Sequence, residues 1–453
     1  MPSATETAAR SATRHNLRAV LARPSFRRLV AARWLSQAAD GWFQAGLATS
    51  IFFNPERAAD PFEMTAAFAV LLVPYSALGP FVGVFLDRWN RRTSLALANL
   101  ARAAFVVPAA VSVWFGQYTA LFLICALLVV ALNRFFLAGV SAAQPHVVDA
   151  PRLVTANSVA TTVGTVCYSA NLGVAGFTVQ ALGTEQHHYG MVALAASAGY
   201  LVAALIMLIS FRPAALGPLD SERPPVTVLQ GLAVTVVGMV AGLRHLARRP
   251  VAAATLLAQA GHRMLFGLLT LTTLLLYRNH YADGDAGASI VGLIPVAGAV
   301  ATGSLLAAVV TPPMVRRIGP VRWLVTVTAG VAVLVPLLGL PVVVALTVVG
   351  SFVVSLAAQT TKIITETTLQ IEVDDDYRGR VFSVNDTGFN LFFVLGLLVG
   401  ALVLPPDGVS AVALLGAGLG YGLVAIGYGV ANRRIAQRPP TATPTPEPIS
   451  AGH

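Results

Sequence analysis

As a pattern of apolar and polar positions, the chain is a series of long apolar runs broken by short polar turns. Twelve runs stand out: 28–53, 64–86, 93–115, 118–142, 154–182, 189–211, 251–277, 287–311, 322–339, 341–366, 381–404 and 409–432. A helix needs about 20 residues to cross a hydrocarbon core, and in lipid an isolated run satisfies its own backbone only as a helix. Several runs contain Gly or Pro, such as Pro74 and Pro80 in the second, which membrane helices tolerate better than soluble ones. The pattern predicts an all-α integral membrane protein with twelve transmembrane helices. The longer connection between the sixth and seventh runs is Pro-rich at Arg212–Pro218 and Pro224-Pro225. It then turns Val/Leu/Gly-rich over 226–247 and ends in Arg244, Arg248 and Arg249. It reads as a cytoplasmic linker whose helix lies near the membrane surface. The expected organisation is an N-terminal arm (1–26), a six-helix bundle (27–211), the linker (212–250), a second six-helix bundle (251–432) and a disordered Pro/Thr-rich tail (433–453).

Composition strengthens this picture. Of 453 residues 56% are hydrophobic and 11% charged, with a mean hydropathy of +0.72; soluble domains carry about 25% charged residues. So few charges suffice only if much of the surface faces lipid. The net charge of +10 raises nucleic acid as a partner, but distribution decides against it. With the N-terminus inside, 23 of the 30 basic residues fall on cytoplasmic pieces, while the outside loops hold only Arg57 and Arg278. The positive-inside rule is strongly obeyed. These charges spread over seven loops and tails instead of forming one basic patch with interleaved aromatics. Cys125 and Cys167 both lie in apolar runs, so neither a disulfide framework nor a zinc site is in view. No cleavable signal peptide is evident in the polar, arginine-bearing first 26 residues; the N-terminus is expected in the cytoplasm, and the expected location is the cell membrane.

The remaining five basic residues, Arg33, Arg102, Arg134, Arg263 and Lys362, lie inside the runs, as do the acids Asp40, Glu366 and Asp386 within them or at their edges. Ionisable groups in a bilayer are costly and face a bundle interior or a water-filled path. Asp40 lies about 12 residues into the first run, about 18 Å from its inner end. Gln37 and Gln44 stand one turn either side of it on the same face, with Arg33 further down. Asp40 is therefore a candidate protonatable or substrate-binding carboxylate, or half of a structural ion pair with Arg33 or Arg102. Arg102, one turn after Asn99 in the third run, is a candidate substrate contact or partner of Asp40. Arg134 near the inner end of the fourth run, and Arg263 beside His262, are pathway candidates that could equally snorkel. Lys362 is the only lysine, with Glu366 at i+4, a spacing that favours an intrahelical pair. His187 and His188 read as solvated loop residues.

Enzyme chemistry finds no support. Thr361 precedes the one lysine, so no Gly-Lys-Ser/Thr phosphate loop exists. There is no G-x-S-x-G elbow and no H-E-x-x-H. No cofactor or metal is expected, and active transport would draw on an ion gradient.

The turn between the second and third runs reads Gly83-x-x-x-Asp87-Arg88-x-Asn90-Arg91-Arg92. With twelve runs in two sixes, it resembles the major facilitator superfamily, whose signature there is G-x-x-x-D-R-x-G-R-[RK]. Asn90 replaces the second glycine, and Asn is the residue that best tolerates positive φ after Gly. By resemblance, Asp87 pairs with an arginine to lock the inner face, and Gly83, Asp87, Arg88, Asn90, Arg91 and Arg92 form the inner gate. Pro312-Pro-Met-Val-Arg316-Arg317-Ile-Gly319 looks like a decayed copy in the second half that has lost its acid. Further features are similar to siderophore exporters and macrolide-type efflux pumps: Ser36-x-x-x-Asp40-Gly41, Leu78-Gly79-Pro80-Phe81-x-Gly83, Asn133-Arg134, Asp149-x-x-Arg152-Leu153-x-x-x-Asn157, and the loop Asp376-Tyr377-Arg378-Gly379-Arg380-Val381-Phe382-Ser383. The last assigns Arg378 and Arg380 to the gate. The Gly-Pro step of an antiporter fifth span is missing from Ser169-Ala-Asn171-Leu-Gly173-Val-Ala-Gly176, and Gly139 stands five residues after Arg134 where the fourth-span signature has four.

The resemblance implies a monomeric secondary transporter in the lipid bilayer that exchanges a small hydrophobic or amphipathic compound, drug-like or siderophore-like, for protons by alternating access. Asp40 is the expected coupling acid, with Arg102 and Arg134 next to it in importance. An importer or facilitator of a small solute, a lipid flippase, and a non-transporting receptor or scaffold are the alternatives.

Overall fold

The computed structural model of the protein describes residues 18–48, 58–183, 185–213, 215–218 and 227–437. Arg57, Pro224, Pro225 and Arg438 with the tail after it lie outside them. Thirteen long helices carry the described chain. They are α1 (Pro24–Gly46), α2 (Pro61–Leu86), α3 (Arg91–Trp114), α4 (Ala120–Ala143), α5 (Leu153–Leu182), α6 (Gln186–Ser210), α7 (Val228–Arg248), α8 (Pro250–Leu275), α9 (Ala286–Ile318), α10 (Pro320–Gly339), α11 (Val344–Glu372), α12 (Asp375–Val403) and α13 (Ala411–Ala436). Nine of these among the described residues are long and apolar enough to cross a membrane: α3, α4, α6, α7, α9, α10, α11, α12 and α13. The linker helix α7 is in this set by length and composition, although the sequence pattern places it near the membrane surface.

The packing is that of a protein in lipid. Along α13 the outward positions Val412, Leu415, Leu419, Leu423 and Ile426 are large and exposed, while Ala417, Tyr421 and Ala425 on the other side are buried. Lipid is as apolar as leucine, so burial selects for close fit instead of hydrophobicity, and small residues let backbones approach. At Gly46 of α1 an added Cβ would come within 2.4 Å of the Ala193 Cβ on α6.

The chain divides into two compact units. The first runs up to Leu243 and takes in Gly267–Ile294 and Gly379–Ser410; the second comprises Arg244–Phe266, Pro295–Arg378 and the chain from Ala411 on. In the first, α1 is the hub, packed along α5 and α6, while α3 packs on α4 and α6. Phe26, Leu29, Leu95, Phe136 and Met207 fill one end of its interior; Phe43, Leu47, Val106, Phe122 and Tyr200 fill the other. In the second, α10 packs on α11 and α13 around Ala258, Leu324, Ile364 and Tyr428.

Two stretches expected as loops are helical. Residues 312–318 continue α9 through Pro312 and Pro313, and 376–380 belong to the start of α12. Both are rich in arginine, which reads as a turn by polarity. A helix that outruns the hydrocarbon core keeps its backbone bonds in water and can carry those charges.

Candidate functional site

In the last third of α1, Asp40 meets one residue from each of two other helices. Arg102 of α3 donates through Nη2 to Asp40 Oδ1, closing an ion pair. The Tyr200 hydroxyl of α6 donates to the same oxygen at 2.8 Å. Arg102 is held from behind. Its Nη1 donates to Ser36 Oγ at 2.7 Å and to Asn99 Oδ1 at 3.2 Å, and Ser36 Oγ donates to Asn99 Oδ1 at 3.1 Å. The guanidinium carbon lies 3.9 Å from the centre of the Tyr200 ring. Arg102 is fully buried, and the Asp40 side chain is 12% exposed. The carboxylate therefore keeps a little accessible surface while its partner has none. The arrangement follows from the helical repeat: Ser36 and Asp40 on α1, and Asn99 and Arg102 on α3, each share a face. Tyr200 was not foreseeable, because a tyrosine in an apolar run carries no signal until the helices are packed.

Arg33 does not join this pair. Two turns below Asp40, its Nε donates to Gln37 Oε1 at 3.2 Å and its Nη2 to Thr161 Oγ1 of α5 at 3.4 Å. Arg33 is 5% exposed. It instead lines a cavity of about 320 Å³ with Arg134, Asn133, Leu137, Ala138 and Ser141 of α4 and Val82 of α2. The structure thus groups the predicted candidates into two sites of the first unit: Asp40 with Arg102, and Arg33 with Arg134.

The turn after α2 is built around Arg91. Gly83 lies in the last part of α2 and Asp87 just beyond its end. Asn90 has φ −57° and accepts from Thr93 N at 3.2 Å, so it caps the start of α3. It does not use the positive φ expected of a glycine substitute: Asn and Asp are among the best N-caps, which explains the residue differently. Its Nδ2 donates to the Pro213 carbonyl. Arg91 is buried. Its Nε donates to Leu86 O at 3.2 Å and its Nη1 to Ala142 O at 3.2 Å, with His146 Nε2 2.8 Å away. Asp87 stands 3.8 Å from Arg91 Nη2 with its side chain 58% exposed. Arg92 donates to the Leu208 carbonyl, and Arg88 to Val84 O at 2.7 Å. The linker helix comes in over this turn: an added Cβ at Gly231 of α7 would lie 2.5 Å from Arg88 Nη2. Further along, Gly242 faces the side chain of Arg380, whose Cβ would be 3.2 Å from such an atom.

The Asp149-x-x-Arg152 motif before α5 is a salt bridge of 3.3 Å, and Asp149 also pairs with Arg23 just ahead of α1. In the second unit, Arg249 donates to Asp374 at 2.6 Å, and His245 stacks on Tyr377 with ring centres 4.4 Å apart. The bond from Arg249 holds the Asp374 carboxyl below the usual carboxylate range and pushes Arg249 up. Arg378 donates to Gln370 O at 3.1 Å.

The other candidates are dispersed. Arg263 is buried with its guanidinium carbon 5.1 Å from the Phe266 ring, and neighbouring His262 stacks edge-on to Tyr421. Lys362 Nζ is 3.9 Å from Glu366, both side chains being more than two-fifths exposed. His187 and His188 belong to the first turn of α6, not to a free loop; their rings are 3.9 Å apart and His187 Nδ1 is 3.2 Å from Glu185. Among the described residues no cluster of His, Cys, Asp and Glu could hold a metal ion.

Comparison with known proteins is consistent across sequence and structure. A family model described as Major Facilitator Superfamily matches residues 33–397. Two uncharacterized MFS-type transporters, from Mycobacterium tuberculosis and Mycobacterium bovis, are each 38% identical over 406 residues, covering 88% of this chain and 89% of theirs. Among solved structures, the nucleoside transporter NupG aligns with a TM-score of 0.58 at 15% identity, over 90% of this chain and 99% of its own. A bacterial homologue of the human lysosomal transporter Spinster gives 0.57 at 14%, over 92% and 99%. The human organic anion transporter MFSD10 gives 0.54 at 16%, over 90% and 99%. At such identities these likenesses speak for the fold alone.

Proposed function

Because this chain belongs to the major facilitator superfamily, we propose that it is a secondary transporter that exports small hydrophobic or amphipathic compounds in exchange for protons. The observation carrying the proton assignment is the Asp40–Arg102–Tyr200 cluster. Asp40 is the ion-pair partner of a fully buried arginine, and its own side chain is 12% exposed. When Oδ1 or Oδ2 takes a proton, the carboxylate loses its charge. Arg102 is then left with neutral acceptors alone: Ser36, Asn99 and the uncharged Asp40 carboxyl. A buried guanidinium without a counter-ion is costly, so the proton changes which arrangement of α1, α3 and α6 is favoured. A two-state element biased by one ligand is what coupling requires.

In this reading twelve helices span the cell membrane in bundles 27–211 and 251–432, and both termini are cytoplasmic. The linker 212–250 joins the bundles, and the protein works as a monomer. The turn around Arg91 is the inner gate, to which Arg378 and Arg380 contribute. Export, as the direction, is supported by the likeness of Ser36-x-x-x-Asp40-Gly41, Asn133-Arg134 and Asp149-x-x-Arg152 to efflux pumps.

The test has two stages. A growth-inhibition panel with and without the gene selects a protected compound. Everted vesicles are then assayed for uptake of that compound with an intact and a collapsed pH gradient. Uptake that stops on collapse is expected; uptake indifferent to the gradient contradicts proton coupling, and uptake only in right-side-out vesicles contradicts export.

A further inference from the structure

The cavity between α1, α2 and α4 holds an unmet requirement. Arg33 is 95% buried, and two of its three nitrogens are engaged, by Gln37 and Thr161. Its Nη1 is buried with no hydrogen-bond partner. Among the described residues Arg33 makes no ion pair; the acid nearest in sequence, Asp40, is taken by Arg102. The cavity adds a second guanidinium, Arg134, and no acidic residue among those that line it. Across it, Asn133 Oδ1 is likewise buried with no partner. The site is built, not incidental. At Gly164 of α5 an added Cβ would fall 1.8 Å from Gln37 Oε1, so the glycine leaves the room in which Gln37 reaches across and orients Arg33.

Buried donors and acceptors without partners are rare in folded proteins and call for a ligand, ion or water. A guanidinium pair selects a carboxylate or phosphate, which it grips with charge-assisted bonds. The neighbouring amide oxygen selects a donor beside that anion. We propose that the Arg33–Asn133–Arg134 cavity is a binding site for the anionic group of a transported solute, a carboxylate or phosphate carrying an adjacent hydroxyl or N–H donor. Arg33 Nη1 and Arg134 take the anion, and Asn133 Oδ1 accepts from the donor. The apolar remainder, Val82, Leu137 and Ala138, takes a small hydrocarbon body. This deepens the exporter reading and rests on it only for the word transported. It narrows the substrates to amphipathic anions.

The same chemistry is offered by a phospholipid headgroup, so the experiment has arms for both sources. Full-length protein in phosphatidylcholine nanodiscs is titrated with radiolabelled 3-hydroxybenzoate, whose hydroxyl is too far round the ring to bond to its own carboxylate, and with its uncharged analogue 3-hydroxybenzyl alcohol. Saturable binding of 3-hydroxybenzoate, at least about tenfold tighter than the alcohol, is expected, weakened about tenfold in Arg33→Gln and less in Arg33→Lys. Asn133→Leu, which leaves both guanidiniums in place, should weaken 3-hydroxybenzoate and spare benzoate, which lacks the hydroxyl. Thermal melting of each variant separates lost binding from lost folding. Equal affinity for the acid and the alcohol, or 3-hydroxybenzoate binding unchanged in folded Arg33→Gln and Asn133→Leu, overturns the site. 3-Hydroxybenzoate binding abolished by phosphatidylglycerol nanodiscs assigns the cavity to lipid and overturns the solute. Binding as expected with no gradient-driven flux in vesicles would leave this site standing and defeat the exporter reading alone.

Discussion

Asp40–Arg102 and Asp87–Arg91 are both carboxylate–guanidinium pairs of the first unit, and they divide the work in opposite ways. In the deep pair the carboxylate is, among the described residues, the arginine's one counter-ion, and its other partners there are neutral side chains. In the turn, Arg91 is held by the Leu86 and Ala142 carbonyls beside His146, and Asp87 is a distant, mostly exposed neighbour. Protonating Asp40 changes the electrostatics of a buried charge. Protonating or removing Asp87 leaves Arg91 where it is. The first pair is therefore suited to sense a proton, and the second to hold the end of α2 against the end of α4. The counterpart turn between α9 and α10 has neither feature. Arg316 and Arg317 are exposed on the last turn of α9, and no acid stands among 312–319.

The contrast can be broken by substitution. The largest loss of stability is expected from Arg102→Ala, which strands the Asp40 carboxylate in the bundle: breaking a buried pair costs about 3–5 kcal/mol, read as a lower Tm in detergent. Arg91→Ala comes next, at about 2–3 kcal/mol, because bonds to a charged group are each worth about 1.5–3 kcal/mol and the carbonyls it leaves regain water at the membrane edge. An Arg91 effect larger than that of Arg102 would reverse the assignment of the two pairs. Asp87→Ala should cost under about 1 kcal/mol, as exposed pairs do, yet reduce transport strongly if the turn is a gate. Ala at Arg316 or Arg317 should stay within about 0.5 kcal/mol and leave transport near normal. Equal transport defects at 87 and at 316–317 would refute the asymmetry between the halves.

Much of the deep pair is legible in the sequence. Asp40 and Arg102 stand out because an ionisable side chain in an apolar run is expensive and has to be answered by something, and the choice between Arg33 and Arg102 as partner is settled by packing. Tyr200 is illegible, since tyrosines occur in such runs without a role. The cavity is also illegible, because its walls come from α1, α2 and α4 and only helix packing brings Val82, Asn133 and Ser141 together. Helix limits at 312–318 and 376–380 are misread for a physical reason: polarity marks the edge of the hydrocarbon, and the helix continues past it. At Asn90 the sequence reads as a glycine substitute with positive φ, while the structure uses its side chain to cap α3.

The measurement that bears most directly on the account is gradient-driven transport by Asp40→Asn in everted vesicles, with folding verified by melting and membrane insertion. Asn keeps an oxygen for Arg102 and Tyr200 but cannot carry the charge that the proton cancels. The account predicts folded, membrane-inserted protein whose transport no longer responds to a pH gradient. Gradient-driven transport at the wild-type rate would contradict it and remove Asp40 as the coupling acid.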